Sequence, residues 1–100
     1  MQCGSNISPN KLGEIVLDPV IAFGQVLRKV RKETGLTQEQ LGFAANIERN
    51  FVSLIELGRN QPTVRVIFRL AEALGTTPSA LLAETEELLQ TQVVSRNGHK

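Results

Sequence analysis

The sequence predicts an all-α fold of five short helices packed as one compact domain over residues 18–90. Apolar residues recur at three- and four-residue intervals in five successive windows. Four of those windows open on helix-start residues (Asp18-Pro19, Thr37, Thr63, Thr77-Pro78), and three of the five close on glycine (Gly35, Gly58, Gly75). No segment alternates polar and apolar residues long enough to make a strand of consequence.

The first helix starts at Asp18-Pro19. Asp accepts from the free N–H groups of the first turn, and Pro gives up an N–H that would be unpaired there anyway. Val20, Phe23, Leu27 and Val30 form its apolar stripe, Arg28, Lys29 and Lys32 lie off it, and Gly35 ends it after Thr34. Thr37 and Gln40 have the spacing of a capping box, which starts the second helix at Gln38 and carries it to Ala44 or Ala45, with Leu41 and Ala45 inward. Gly42 costs about 1 kcal/mol relative to Ala inside a helix, so a neighbouring backbone is expected to pass close to it.

Asn46 tolerates the left-handed conformation and permits a sharp turn. Ile47 plugs the corner, and a third helix runs from about Glu48 to Leu57 with Val52 and Ile55 inward. Arg49, Asn50, Phe51, Ser53 and Leu54 have no evident core to face. After the polar loop Arg59-Asn60-Gln61-Pro62, Thr63 caps a fourth helix striped by Val64, Ile67, Leu70, Ala71 and Leu74. The fifth follows Thr77-Pro78 to about Gln90, with Leu81/Leu82 and Leu88/Leu89 one heptad apart.

Residues 1–17 read as a flexible tail or arm and 91–100 as a disordered polar tail. The apolar triplet Ile15-Val16-Leu17 is expected to act as a lid on the core or as an arm reaching a second subunit.

Composition narrows function by exclusion. At 100 residues and 41% hydrophobic content the chain suits one domain with a modest core. The one cysteine, Cys3, allows no disulfide within the chain and no multi-cysteine zinc site. His99 stands in the other terminal segment, and no paired carboxylates, glycine-rich phosphate loop or metal-spaced ligands occur, so the sequence predicts neither an enzyme nor a cofactor. The absence of a membrane-length apolar run or secretory signal points to a soluble, cytoplasmic protein with no membrane partner. The net charge of +1 hides a segregation: residues 19–69 carry eight Lys/Arg against four Glu, and residues 70–90 carry four Glu and no base. A partner therefore meets a basic face.

Several elements together carry a family resemblance: Leu27-Arg28-x-x-Arg31, Gly35-Leu36-Thr37-Gln38, Leu41, Ile47, Val52-Ser53-x-Ile55-Glu56-x-Gly58, Pro62-Thr63 and Leu70-Ala71-x-Ala73-Leu74-Gly75. Over residues 19–83 the chain resembles the phage-repressor-like helix-turn-helix regulators of the lambda repressor, Cro and xenobiotic-response-element type. The resemblance implies that the third helix enters the DNA major groove while the second braces the backbone, with Gly42 letting Val52 come close enough to lock the angle between them.

Arg49 then reads guanine, Asn50 reads adenine, and Ser53 and Leu54 complete the base-contacting set. Gln38, Phe51, Arg59, Asn60 and Thr63 are expected at phosphates or sugars. The resemblance also implies that Arg31 and Glu56 pair as a structural bridge. Three departures stand out: Asn46 where Gly is usual, Gly42 where Ala is usual, and Glu48 in place of the usual Ser/Thr cap, where its carboxylate is expected either to accept from a cytosine N4 or to orient Arg49. Restriction-modification controller proteins look similar in placing an acidic residue before Arg-Asn or Arg-Thr.

One recognition helix reads few base pairs, so a homodimer on a palindromic operator is expected, joined through Leu81, Leu82, Leu88 and Leu89 of the fifth helix. Such a protein would repress or autoregulate its target promoters, with double-stranded DNA as partner and no small-molecule effector indicated. The alternative is a protein-interaction module on the same fold, such as an antitoxin or co-activator adaptor.

Overall fold

The computed structural model describes residues 17–97, with side-chain surroundings for residues 17–90. Cys3, the Ile15-Val16 part of the apolar triplet and almost all of the expected N-terminal tail lie outside the described residues, as does His99. Five helices follow in order: α1 (Pro19–Thr34), α2 (Gln38–Ala45), α3 (Arg49–Glu56), α4 (Val64–Leu74) and α5 (Pro78–Asn97). Among the described residues there is no strand, and no single helix is long and apolar enough to cross a membrane.

Local chemistry sets most of the boundaries. The Asp18 carboxylate accepts from the Val20 N–H at 2.7 Å. The α2 capping box is reciprocal: Gln40 N donates to Thr37 Oγ1 at 3.0 Å, and Thr37 N donates to Gln40 Oε1 at 2.9 Å. Gly35 and Gly75 close α1 and α4 in the left-handed region, and Asn46 closes α2 there at φ 61°, the one non-glycine residue with positive φ among those described.

The fifth helix departs from expectation. It continues to Asn97, seven residues beyond Gln90, because no glycine or proline interrupts the chain between Pro78 and Gly98. Polarity alone marks residues 91–100 as tail, but a polar sequence without a breaker remains compatible with a helix, and residues 91–97 are helical.

Packing places α1 against both α3 and α5, α2 against α3 and α4, and α4 against α5. Leu27, Leu41, Val52, Ile55, Leu70 and Leu81 are the large, fully buried side chains where these helices meet. Each such burial is worth about 1.5–3 kcal/mol relative to exposure. On the far side Lys29 Nζ donates to Glu84 Oε1 at 2.8 Å, tying α1 to α5 at the surface. The Glu84 hydrogen bond and charge, with Glu33 assisting, raise the Lys29 pKa above its ordinary value. A cation stabilised in this way keeps its contribution below its unfolded pKa and loses it only as pH rises through the folded one, so the tie persists at neutral pH.

Two helical glycines mark where backbones touch. A Cβ on Gly42 would stand 2.8 Å from the Ile47 carbonyl oxygen and 3.3 Å from the Arg49 nitrogen. The close approach expected at Gly42 is present, but the neighbour is the returning backbone of the α2–α3 turn, not Val52. A Cβ on Gly24 would collide with the Ile55 carbonyl oxygen and lie 2.8 Å from that of Glu56, so α1 and α3 cross there with nothing between them.

Candidate nucleic-acid interface

The candidate surface is the outer face of α3, and its orientation is fixed from behind. Val52 and Ile55 sink into the core. Glu56, one residue on, is also buried, and its carboxylate receives Arg31 Nε at 2.6 Å and Nη2 at 3.1 Å. The remaining Arg31 nitrogen, Nη1, donates to the Leu36 carbonyl at 2.9 Å. A two-pronged guanidinium–carboxylate pair is directional as well as attractive, so it sets the rotation of α3 about its own axis. Gln38 joins the same cluster, its amide donating to Glu56 Oε1 at 3.0 Å. One carboxylate thus links α1, the start of α2 and the end of α3.

The opposite face of α3 is open. Arg49 and Asn50 are exposed, Ser53 and Leu54 half-exposed, and among the described residues no ion pair holds the Arg49 guanidinium. Beyond α3 the Leu54 carbonyl accepts from the N–H groups of Arg59 at 2.9 Å and Asn60 at 3.3 Å, folding the loop back beside the helix and leaving the Arg59 side chain in solvent. Thr63 Oγ1 accepts from Val66 N at 3.2 Å, which caps α4, and Thr63 itself is exposed. The structure therefore brings Arg49, Asn50, Ser53 and Leu54 together on one helix, with Arg59 and Asn60 following in the loop that packs back on it.

Two residues expected at phosphates have other duties. Phe51 is half-buried and packs against the core, because its helical position lies between the inward stripe and the open face. The amide of Gln38 is drawn inward by Glu56, and its backbone N–H lies in the first turn of α2.

The dimer residues also divide. Leu81 is 1% exposed and belongs to its own core, and Leu88 packs against that core, so neither forms an open surface as expected. Leu82, at 46% exposure, faces outward, and Leu89 is intermediate. Sequence reasoning missed the crossing at Gly24, although a glycine inside an apolar helix signals it as plainly as Gly42 does. It also missed the exposed Phe68 of α4, 59% accessible.

A helix braced behind by a buried ion pair, preceded by a tight turn onto a second helix and presenting Arg, Asn and Ser outward, defines a helix-turn-helix regulator. Residues 27–81 match the helix-turn-helix family, and the chain belongs to it, within the lambda-repressor-like, xenobiotic-response-element type. The chain is 36% identical over 64 residues to an uncharacterised helix-turn-helix-type transcriptional regulator of Sinorhizobium fredii, covering 64% of this chain and 83% of that one. It is 36% identical over 74 residues to the immunity repressor of Bacillus phage phi105, covering 74% of this chain and 51% of that protein. Among solved structures, the restriction-modification controller protein C.AhdI of Aeromonas hydrophila is 37% identical and superposes with a TM-score of 0.61, over 62% of this chain and 94% of that one.

Proposed function

We propose that the protein is a sequence-specific regulator of transcription that binds a palindromic double-stranded DNA operator as a homodimer, α3 lying in the major groove. The observation that carries this reading is the division of α3 into a face locked by Arg31–Glu56 and an unpaired face bearing Arg49, Asn50 and Ser53. In that pose Arg49 spans guanine O6 and N7, and Asn50 spans adenine N6 and N7. Arg59, Asn60, Thr63 and the first N–H groups of α2 meet phosphates, setting register and affinity. Leu54 lies against a thymine methyl or sugar.

Selection from a random-sequence DNA pool at about 150 mM salt tests the reading, with Arg49→Ala and Arg59→Ala run in parallel. The wild type is expected to enrich a palindrome with half-sites about 34 Å apart. Arg49→Ala should cost about 1–3 kcal/mol and relax one base position, whereas Arg59→Ala should weaken all sequences alike and lower the salt slope by about 1. A pool with no enriched sequence would turn the search to a protein partner.

The dimer rests on the outward side of α5, now reduced to Leu82 and Leu89, with the acidic Glu86 and Glu87 holding that end off the phosphates. Because Leu82 is already exposed, Leu82→Asp is expected to leave the thermal midpoint of the isolated chain within about 2 °C. Sedimentation should then show a monomer that binds a half-site but no longer prefers the full palindrome. An unchanged dimer would place the two-fold contact elsewhere.

A further inference from the structure

Glu48 occupies the cap position of α3 without capping it. Its backbone has the extended geometry of a cap, φ −74° and ψ 147°, yet its side chain accepts no hydrogen bond from the first turn. The carboxylate is exposed, and among the described residues it enters no ion pair. Instead it stands on the rim of a shallow hollow lined also by Ile47, Asn50, Phe51 and Leu54. Ile47 and Phe51 are fastened to the core, so the apolar floor of that hollow is a fixed surface. A residue that fails its local structural task beside an open, shaped surface is where a sequence departs from folding rules for function.

The chemistry of this arrangement is narrow. A carboxylate only accepts hydrogen bonds, and the donors in the major groove are the 4-amino group of cytosine and the 6-amino group of adenine. Adenine sets its N7 acceptor beside that donor, facing the same negative charge, whereas cytosine has only C5 at the corresponding edge. Thymine O4 and guanine O6 are acceptors and are repelled. The apolar floor beside the carboxylate suits a methyl group projecting from a pyrimidine C5.

We propose that Glu48 is a specificity-determining residue that reads the 4-amino group of a cytosine, and that the Ile47–Phe51–Leu54 floor seats an adjoining pyrimidine 5-methyl group. The methyl comes from a neighbouring thymine or from C5 methylation of that same cytosine. This inference rests on the DNA-binding reading of α3, and the two fail differently: loss of all sequence enrichment by the wild type removes both, whereas a selected operator that Glu48 does not influence removes this one alone.

The test uses the full chain and the operator recovered by selection. Glu48→Gln is expected to lose about tenfold in discrimination for cytosine at one position per half-site, a magnitude in the range of a single good base contact. Its binding to non-specific DNA should rise, because a negative charge leaves the phosphate edge. Glu48→Ser is expected to raise the thermal midpoint by about 4 °C by restoring the cap, which separates folding from reading. Operators with uracil in place of each thymine, and others with 5-methylcytosine in place of each cytosine, locate the methyl. Affinity should fall several-fold in the first series or rise several-fold in the second, at the position beside or at the cytosine. Unchanged cytosine preference in Glu48→Gln, or indifference to both base series, would overturn the proposal.

Discussion

Replacing Glu56 by alanine is expected to destabilise the domain by about 3–5 kcal/mol, because the Arg31 guanidinium would stay buried with only the Leu36 carbonyl for a partner. Domains of this size have total stabilities of about 5–15 kcal/mol, with each kcal/mol worth about 4–8 °C, so the thermal midpoint should drop by at least about 12 °C. DNA binding should disappear in proportion to the folded fraction, across all sequences alike. That pattern differs from Arg49→Ala, which should leave the fold intact. The double variant Arg31→Met/Glu56→Leu should recover most of the lost stability, since an apolar pair of similar volume carries no desolvation cost. The exposed sides of Leu36 and Gln38 can meet water once their charged partners are gone. Circular dichroism melts of the three proteins decide the matter. A midpoint within about 4 °C of wild type for Glu56→Ala would mean that the pair contributes orientation without stability.

What was legible in the sequence is mostly what local chemistry determines. Asp18-Pro19, Thr37 with Gln40, and Thr63 each act on the N–H groups of their own first turn, and Gly35, Asn46 and Gly75 each need a backbone angle that few residues accept. These signals operate within four residues and survive without tertiary knowledge. Errors arose where the answer lay across the fold. Leu81 and Leu82 are adjacent and point about 100° apart on a helix, so periodicity cannot say which faces the core until α1 and α4 are in place. Gln38 looked like a surface amide because its partner, Glu56, is eighteen residues away. Phe51 sits at the boundary between the inward stripe and the outer face of α3, where a shift of a few degrees decides burial. The open face of α3 was legible for a different reason: Arg49, Asn50 and Ser53 interrupt an apolar pattern that a helix buried on all sides would have continued.

Alanine at Gly24 is the substitution expected to harm the protein most for its size. Two effects oppose each other. Alanine favours the α1 helix by about 0.5–1 kcal/mol over glycine. Against that, its Cβ would collide with the Ile55 carbonyl oxygen and crowd that of Glu56, and both are backbone atoms of α3 that no rotamer change can move aside. Overpacking of this kind costs about 1–3 kcal/mol, occasionally more, so the clash wins and a net loss of about 2 kcal/mol is expected. The loss has a functional direction. Gly24 and Arg31 lie seven residues apart, roughly 10 Å along α1, and together pin the last turn of α3 at two points. Pushing one point outward while the Arg31–Glu56 pair holds the other would tilt α3 rather than release it, and the tilt moves Arg49 and Asn50 relative to Arg59 and Thr63. Gly24→Ala should therefore bind its operator less well than its folded fraction accounts for, with specific binding reduced more than non-specific binding. Gly42→Ala sets the scale: its Cβ meets one backbone oxygen, that of Ile47 at 2.8 Å, where a Cβ at Gly24 meets two and one of them more closely, so its deficit should be smaller. If Gly24→Ala instead proves as stable as wild type with unaltered discrimination, α1 and α3 can separate without turning α3, and the Arg31–Glu56 pair alone sets its angle.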